Sequence, residues 1–580
     1  MYRLRKAAFA VLFVFSSLVF SPAAGAWAAN PEDAFSARPE ASLYFALRLE
    51  DLGGMLKKIF SPANMEMLAS LVDPEDAQGI RIAANLASQL PAKSVAFIAG
   101  MAGKADQELP FLQIAASMPE EVRAKLDLVA QGKATPEDLI TLLLGDAGLL
   151  FAGELNPVVR EGSKGLYYLL DELDAGSPVL AARENLLLIA LSSADLEASL
   201  AATEKAENRL AFKRRFESPN YWLMHLDVPA LASFAEDDLK KEFDLKLLKS
   251  YFKAPLDFEV AFDAKPGSFL VSSEVNALEA LTDASRWEKI KPIPGAGLFL
   301  AGGGKLFLGL SSVYAFKASD WNVYPEIAAT WGKFLKELEK RGLAEKDVED
   351  LLTGAISLVF GSDATILGNR APGGYIALSG QEGAASKILN AILEDEAFSQ
   401  AVPLSPLTVD GWSSLFMVDP ALVPVSLLLG VSKDTLFLGV VDPKGLDKKP
   451  EFPSEAADLF ENDLCVSGFF DIAATWEFWR KEASDSTSPL GALLAQDPAE
   501  LDIIKNLLES ELAVSSFKLW APTLETSFAE LKIVDVPREK RLLPKLLKAV
   551  EAWESKEEDR EEEKGEGEEK EGEEEPSDPE

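Results

Sequence analysis

Cysteine and histidine are almost absent from this chain, and each near-absence excludes a class of chemistry. The single cysteine, Cys465, allows no intrachain disulfide and no cysteine-based zinc site. The single histidine, His225, cannot build a Ser-His-Asp or Cys-His machinery or a histidine-rich metal centre. No cysteine lies near the N-terminus, so no lipid can be attached there. Positive charge is scarce as well: 57 Lys and Arg stand against 94 Asp and Glu, a formal net charge of −37. The segment Glu554–Glu580 holds sixteen acids and four bases, yet the body without it is still strongly acidic. Such a field repels phosphate backbones and excludes nucleic acid as a partner. Beyond the first twenty residues no apolar run is long enough to cross a bilayer. The best, Ala421–Val431, is interrupted by Pro424, so no transmembrane segment is expected in the mature chain.

The motifs that suggest catalysis fail on inspection. Gly302-Gly303-Gly304-Lys305 lacks the upstream glycine of a phosphate loop, since Phe299 stands there, and Leu306 replaces the magnesium-binding Ser or Thr. It reads as a tight turn between strands at Leu298–Ala301 and Leu306–Leu310. Ser515-x-x-Lys518 falls on an expected strand, whose alternation sends the two side chains to opposite faces. Acidic groups such as Asp171-Glu172-Asp174, Glu236-Asp237-Asp238 and Glu394-Asp395-Glu396 fit solvated helix ends and loops. Cys465 fits a buried, inert thiol and His225 a sheet-face packing position. Trp476 and Trp479 fit core packing or, failing that, an aromatic patch for a sugar or a partner. No catalytic, cofactor-binding or metal-binding residue is assigned, and no cofactor is expected.

The chain does carry a clear N-terminal signal. Arg3, Arg5 and Lys6 precede the apolar run Ala7–Phe20, and the small residues around Ala26 and Ala28 offer cleavage sites. Fourteen helical residues reach only about 21 Å, short of the ~30 Å hydrocarbon core. Residues 1–28 are therefore expected to be a cleaved signal peptide, which makes the protein exported, periplasmic or secreted. Residues 554–580 have no apolar residue and read as a disordered acidic tail.

Between these ends an ordered series of similar segments recurs. Ser94–Gly100 matches Ile356–Gly361, and Leu109–Ala116 with its following helix matches Gly373–Leu378 with its own. The hairpin Val179–Ala190 matches Val425–Gly439, and Tyr221–Phe234 matches Cys465–Phe478 at constant offset. The order implies a tandem duplication, with halves at 38–288 and 295–550. His225 then corresponds to Phe469, Asp227 to Asp471 and Phe234 to Phe478. Asp51, Asp227, Asp442 and Asp471 sit at strand–helix joints as N-caps, and Phe234 and Phe478 are expected to be buried under equivalent helices. Strand–turn–strand–helix units give an α+β fold of largely antiparallel sheet with helices packed on one face.

The openings Leu90-Pro91-Ala92-Lys93-Ser94-Val95-Ala96-Phe97 and Arg38-Pro39-Glu40-Ala41-Ser42-Leu43-Tyr44-Phe45, with Asp51-Leu52 after them, carry a resemblance. This part of the chain is similar to exported bacterial proteins with a domain of unknown function and repeated Leu-Pro-Ala strand openings. It departs from them in having Arg38-Pro39 where Leu-Pro is expected, and the resemblance implies no activity. The sequence expectation is a non-catalytic envelope protein that binds or scaffolds a protein or another envelope component. A carrier of a lipid or other apolar ligand is the alternative, in keeping with 33 Phe against 9 Tyr. A hydrolase working with carboxylates alone is the third.

Overall fold

A computed structural model describes residues 41–49, 95–102, 109–117, 120–135, 137–138, 157–162, 165–170, 179–183, 186–202, 220–228, 252–265, 267–282, 284–288, 290–315, 317, 325–366, 369–419, 421–423, 425–485, 488 and 512–534. The expected signal peptide, Asp51, Phe234 and the acidic tail lie outside these residues.

Among the described residues, ten strands come from the first part of the chain. They are β1 (Ala41–Leu49), β2 (Val95–Ala102), β3 (Leu109–Ser117), β4 (Pro157–Glu161), β5 (Leu166–Leu170), β6 (Val179–Arg183), β7 (Leu186–Ala190), β8 (Asn220–Leu226), β9 (Leu256–Lys265) and β10 (Ser268–Val275). The rest are β11 (Ile293–Pro294), β12 (Leu308–Ala315), β13 (Thr353–Ile366), β14 (Asn369–Ser379), β15 (Leu404–Pro406), β16 (Ser414–Val418), β17 (Leu427–Ser432), β18 (Thr435–Val440), β19 (Asp463–Leu464), β20 (Val466–Asp471), β21 (Val514–Ala521) and β22 (Thr526–Ile533). All but β11 and β19 join one twenty-stranded sheet whose ladders are antiparallel. This mostly antiparallel sheet with its helices is the expected α+β class.

Neighbour by neighbour the order is β4-β5-β6-β7-β3-β2-β1-β8-β9-β10, then β22-β21-β20-β12-β13-β14-β18-β17-β16-β15. Read outward from the β10–β22 seam, both flanks have the same connectivity. At the seam the pairing runs from Ser268↔Lys532 to Glu274↔Thr526, and the Ser273 and Ser527 hydroxyls hydrogen-bond across it at 2.6 Å.

Helices cover parts of both faces rather than one, which corrects the sequence expectation. Helix α1 (Glu120–Ala130) follows β3. Helix α2 (Ser193–Ala202) packs Leu196 and Leu200 onto the face carrying Phe111 and Ala115. Its Ser199 hydroxyl donates to the buried Gln113 side chain on that face at 2.9 Å. Helices α3 (Pro325–Lys340), α4 (Glu345–Leu351) and α5 (Ala384–Leu393) pack instead against Leu378, Leu429, Val431 and Leu436, which the ladder places on the opposite face. The physical reason lies in strands such as β6 and β7, which are apolar at almost every position. Both of their faces are buried, so both need cover.

A row of buried serines holds the cover in place on the α2 side of the second flank. Ser467, Ser311 and Ser357 stand side by side on β20, β12 and β13, each fully shielded from solvent. Ser467 donates to the Gly295 carbonyl at 2.6 Å and Ser311 to the Ala296 carbonyl at 2.9 Å. The Phe299 amide donates to Ser357 at 3.0 Å. Tyr375 completes the clasp, accepting from the Ala301 amide at 2.9 Å and donating to the Phe299 carbonyl at 3.0 Å. Residues 298–301 are thus an irregular strap over the sheet and not the strand expected from sequence. The buried cluster beneath includes Val359, Ala377, Phe437 and Leu428.

Candidate functional site

With one face strapped down, the part of the other face that α3, α4 and α5 do not cover stays open in the second flank. Leu310 on β12, Leu358 on β13, Ile376 on β14 and Leu438 on β18 are direct cross-strand neighbours and form one row. They are 37, 40, 48 and 50% exposed. Scattered exposed leucines are ordinary, but four in register on adjacent strands make a continuous apolar strip. Strands lie about 4.8 Å apart, so the strip runs about 14 Å across the sheet. All four strands are paired on both sides, so their backbone groups are already engaged. The strip therefore offers hydrocarbon contact and nothing else. On the same face, half-buried apolar residues continue past the seam, among them Leu519, Val271, Phe262 and Trp222.

Along the strands the strip has two different neighbours. Two residues one way lie Leu378 and Leu436, roofed by α3, α4 and α5. Two residues the other way lies Phe360, whose ring is 5.9 Å from Phe307. Phe307 in turn stands 5.8 Å from Phe478 of α7 (Ile472–Ser484), which follows α6 (Ala457–Glu461). Phe307 and Phe478 wall a cavity of about 570 Å³ whose other walls include Gly303, Gly304, Lys305, Asp363, Lys448 and Lys449.

The glycine run shapes that cavity. Gly304 has φ +79°, and a Cβ there would lie 2.6 Å from the Gly361 carbonyl oxygen, so no larger residue fits. The Gly303 amide donates to the Lys448 carbonyl at 3.0 Å, and the Glu451 amide donates to the Gly304 carbonyl at 2.7 Å. These bonds zip the two loops together and set Lys448 and Lys449 at the rim.

The residues weighed from sequence are distributed as follows. Asp471 caps α7, accepting from the Ala474 amide at 2.8 Å, and Asp442 caps a short 3-10 turn, accepting from Lys444 at 2.9 Å. Phe478 is half-buried and not the fully buried anchor expected, and no residue of α7 is fully buried. Trp479 is 40% exposed, on a helix that contacts the interior strand β21 without any fully buried residue of its own. His225 stacks on Tyr44 at 4.7 Å and bonds the Asp257 carboxylate at 2.7 Å. Cys465 is buried, and burial pushes its thiol up. Ser515 and Lys518 lie on β21, with Ser515 bonded to the Lys532 carbonyl and Lys518 paired to Asp458. Asp395 caps a helix through Phe398, a bond that holds its carboxyl below the usual range, and it also pairs with Arg341.

A second cavity, of about 420 Å³, gathers the carboxylates Glu451, Glu455 and Asp471. Asp471 is committed to its cap and Glu455 to Lys532. Among the described residues no group of three metal-ligating side chains occurs, and no helix is long and apolar enough to cross a membrane. Compared with protein-family models, curated proteins and solved structures, the chain matches none of them.

Proposed function

We propose that this chain is a non-catalytic carrier of an apolar ligand with hydrocarbon chains, seated on the open strip Leu310–Leu358–Ile376–Leu438. The strip's chemistry supports a purely apolar occupant, since it presents neither a free backbone group nor a polar side chain. Its size favours a ligand over a protein: the four side chains expose roughly 300 Å² of apolar surface, against the ~800 Å² per partner of a stable protein interface. Covering that area is worth about 7 kcal/mol before the costs of association, enough for a reversible carrier.

The wider reading includes export and duplication. Export rests on the charged, apolar and small-residue pattern of residues 1–28, and places the carrier in the envelope or outside the cell. A tandem duplication of 38–288 and 295–550 is supported by the shared connectivity of the two flanks.

The test is binding of a fluorescent apolar probe to the full-length chain and to Ile376→Asp and Leu438→Asp. Both positions are exposed, so folding should be unchanged while probe binding falls at least tenfold. Equal binding by all three proteins would sink the assignment to this strip. Native mass spectrometry of protein from its own host should show a co-purifying apolar molecule.

A further inference from the structure

We propose that the cavity between Phe307, Phe478 and the lysines binds the anionic head group of the carried molecule, which makes the ligand an anionic amphiphile. The inference rests on the carrier reading and adds the ligand's polar end.

Three observations lead to it. First, the cavity adjoins the strip: Phe360 is two residues from Leu358 on the same strand face, about 7 Å along β13. The ring chain Phe360–Phe307–Phe478 continues the apolar surface into the cavity wall. Second, the lining also carries Lys305, Lys448 and Lys449, a concentration of positive charge in a chain of net charge −37. Third, these ammoniums are not all spent. Lys305 faces Asp471 at 3.8 Å, whereas among the described residues Lys448 and Lys449 form no ion pair. Asp363 and Glu451 also line the cavity and leave it only slightly positive, which suits one anionic group and not a polyanion. The opposite side of the strip along the strands, under α3, α4 and α5, is apolar, so a bound amphiphile lies along the strand direction in one orientation: hydrocarbon toward the helices, head toward the lysines.

The experiment compares three probes on the full-length chain: a fluorescent fatty acid, its methyl ester and a single-chain phosphate-headed lipid. The variants are the double reversal Lys448→Glu/Lys449→Glu and, separately, Ile376→Asp. All three positions are exposed, and unchanged circular dichroism verifies folding. The lysine variant should bind both anionic probes at least tenfold more weakly and the ester within twofold of the unaltered chain. Weakening of only one anionic probe also supports the head-group site, and identifies the head as carboxylate or phosphate. The anionic probes should lose affinity as salt rises. Ile376→Asp should weaken all three. If the lysine reversal affects acid and ester alike, or neither, the head-group site is wrong while the carrier reading stands. If the unaltered chain binds none of the probes, the carrier reading fails and takes this inference with it. Displacement of the fatty acid by inorganic phosphate alone would assign the cavity to a free anion and overturn the proposal.

Discussion

Single residues in this protein divide into those that hold the sheet's closed face and those that leave the other face open. Tyr375 belongs to the first kind. Its hydroxyl satisfies both the Ala301 amide and the Phe299 carbonyl, so Tyr375→Phe should cost about 1 to 3 kcal/mol, by stranding both groups. Burial raises its phenol above the ordinary range. It does the same for Tyr44, with the Asp257 carboxylate adding to the effect. A tyrosine whose folded value is raised leaves stability intact below the unfolded value of about 10. Above that pH the unfolded chain ionises first and stability falls. Urea unfolding at pH 8 and pH 10.5 should show this decline, with a shallower one in Tyr375→Phe. Asp471→Ala should cost about 1 kcal/mol as a lost cap. Phe437→Ala, fully buried, should cost about 3 to 5 kcal/mol by urea denaturation. Because Asp471 also faces Lys305 at 3.8 Å, its loss frees that ammonium and should not weaken ligand binding.

At the scale of elements, much of the fold could be read from the chain. Strands β2, β3, β6, β7, β8, β17, β18 and β20 fall where alternation and turn residues put them. The Lys433-Asp434 turn is tight, with Lys433 at φ +53°. Two elements misled for definable reasons. Residues 298–301 have strand-like apolar composition but are held by serine hydroxyls and Tyr375, partners that no local window contains. Helix α7 is rich in aromatics, which signals a core, yet it contacts Phe307 through Phe478 and stays partly open. The open strip was not legible at all. On β14 the run Tyr375-Ile376-Ala377-Leu378 is apolar on both faces, so periodicity cannot say which face is covered. Nothing in the sequence singles out Lys448 and Lys449, because only the zipper to Gly303 and Gly304 brings them to the cavity.

For the molecule as a whole, the β10–β22 seam is decisive. It joins the two flanks by continuous backbone pairing between strands that are each also paired on their other side. The flanks should therefore unfold together in one transition. Val271→Pro removes a ladder donor and introduces a ring into the middle of the seam. Calorimetry of that variant should resolve two transitions; a single unshifted one would mean that the seam does not couple the flanks.

The two outermost strands also determine how long such a sheet can be. An uncovered sheet edge is a template on which further strands can add without limit. Here β4 begins at Pro157 and carries Arg160 and Glu161, while β15 has three residues, follows Pro403 and ends at Pro406. Proline has no amide hydrogen to donate to an incoming chain, and desolvating charged side chains opposes its approach. Among the described residues, then, both ends of the sheet carry chemistry that opposes the addition of a further strand.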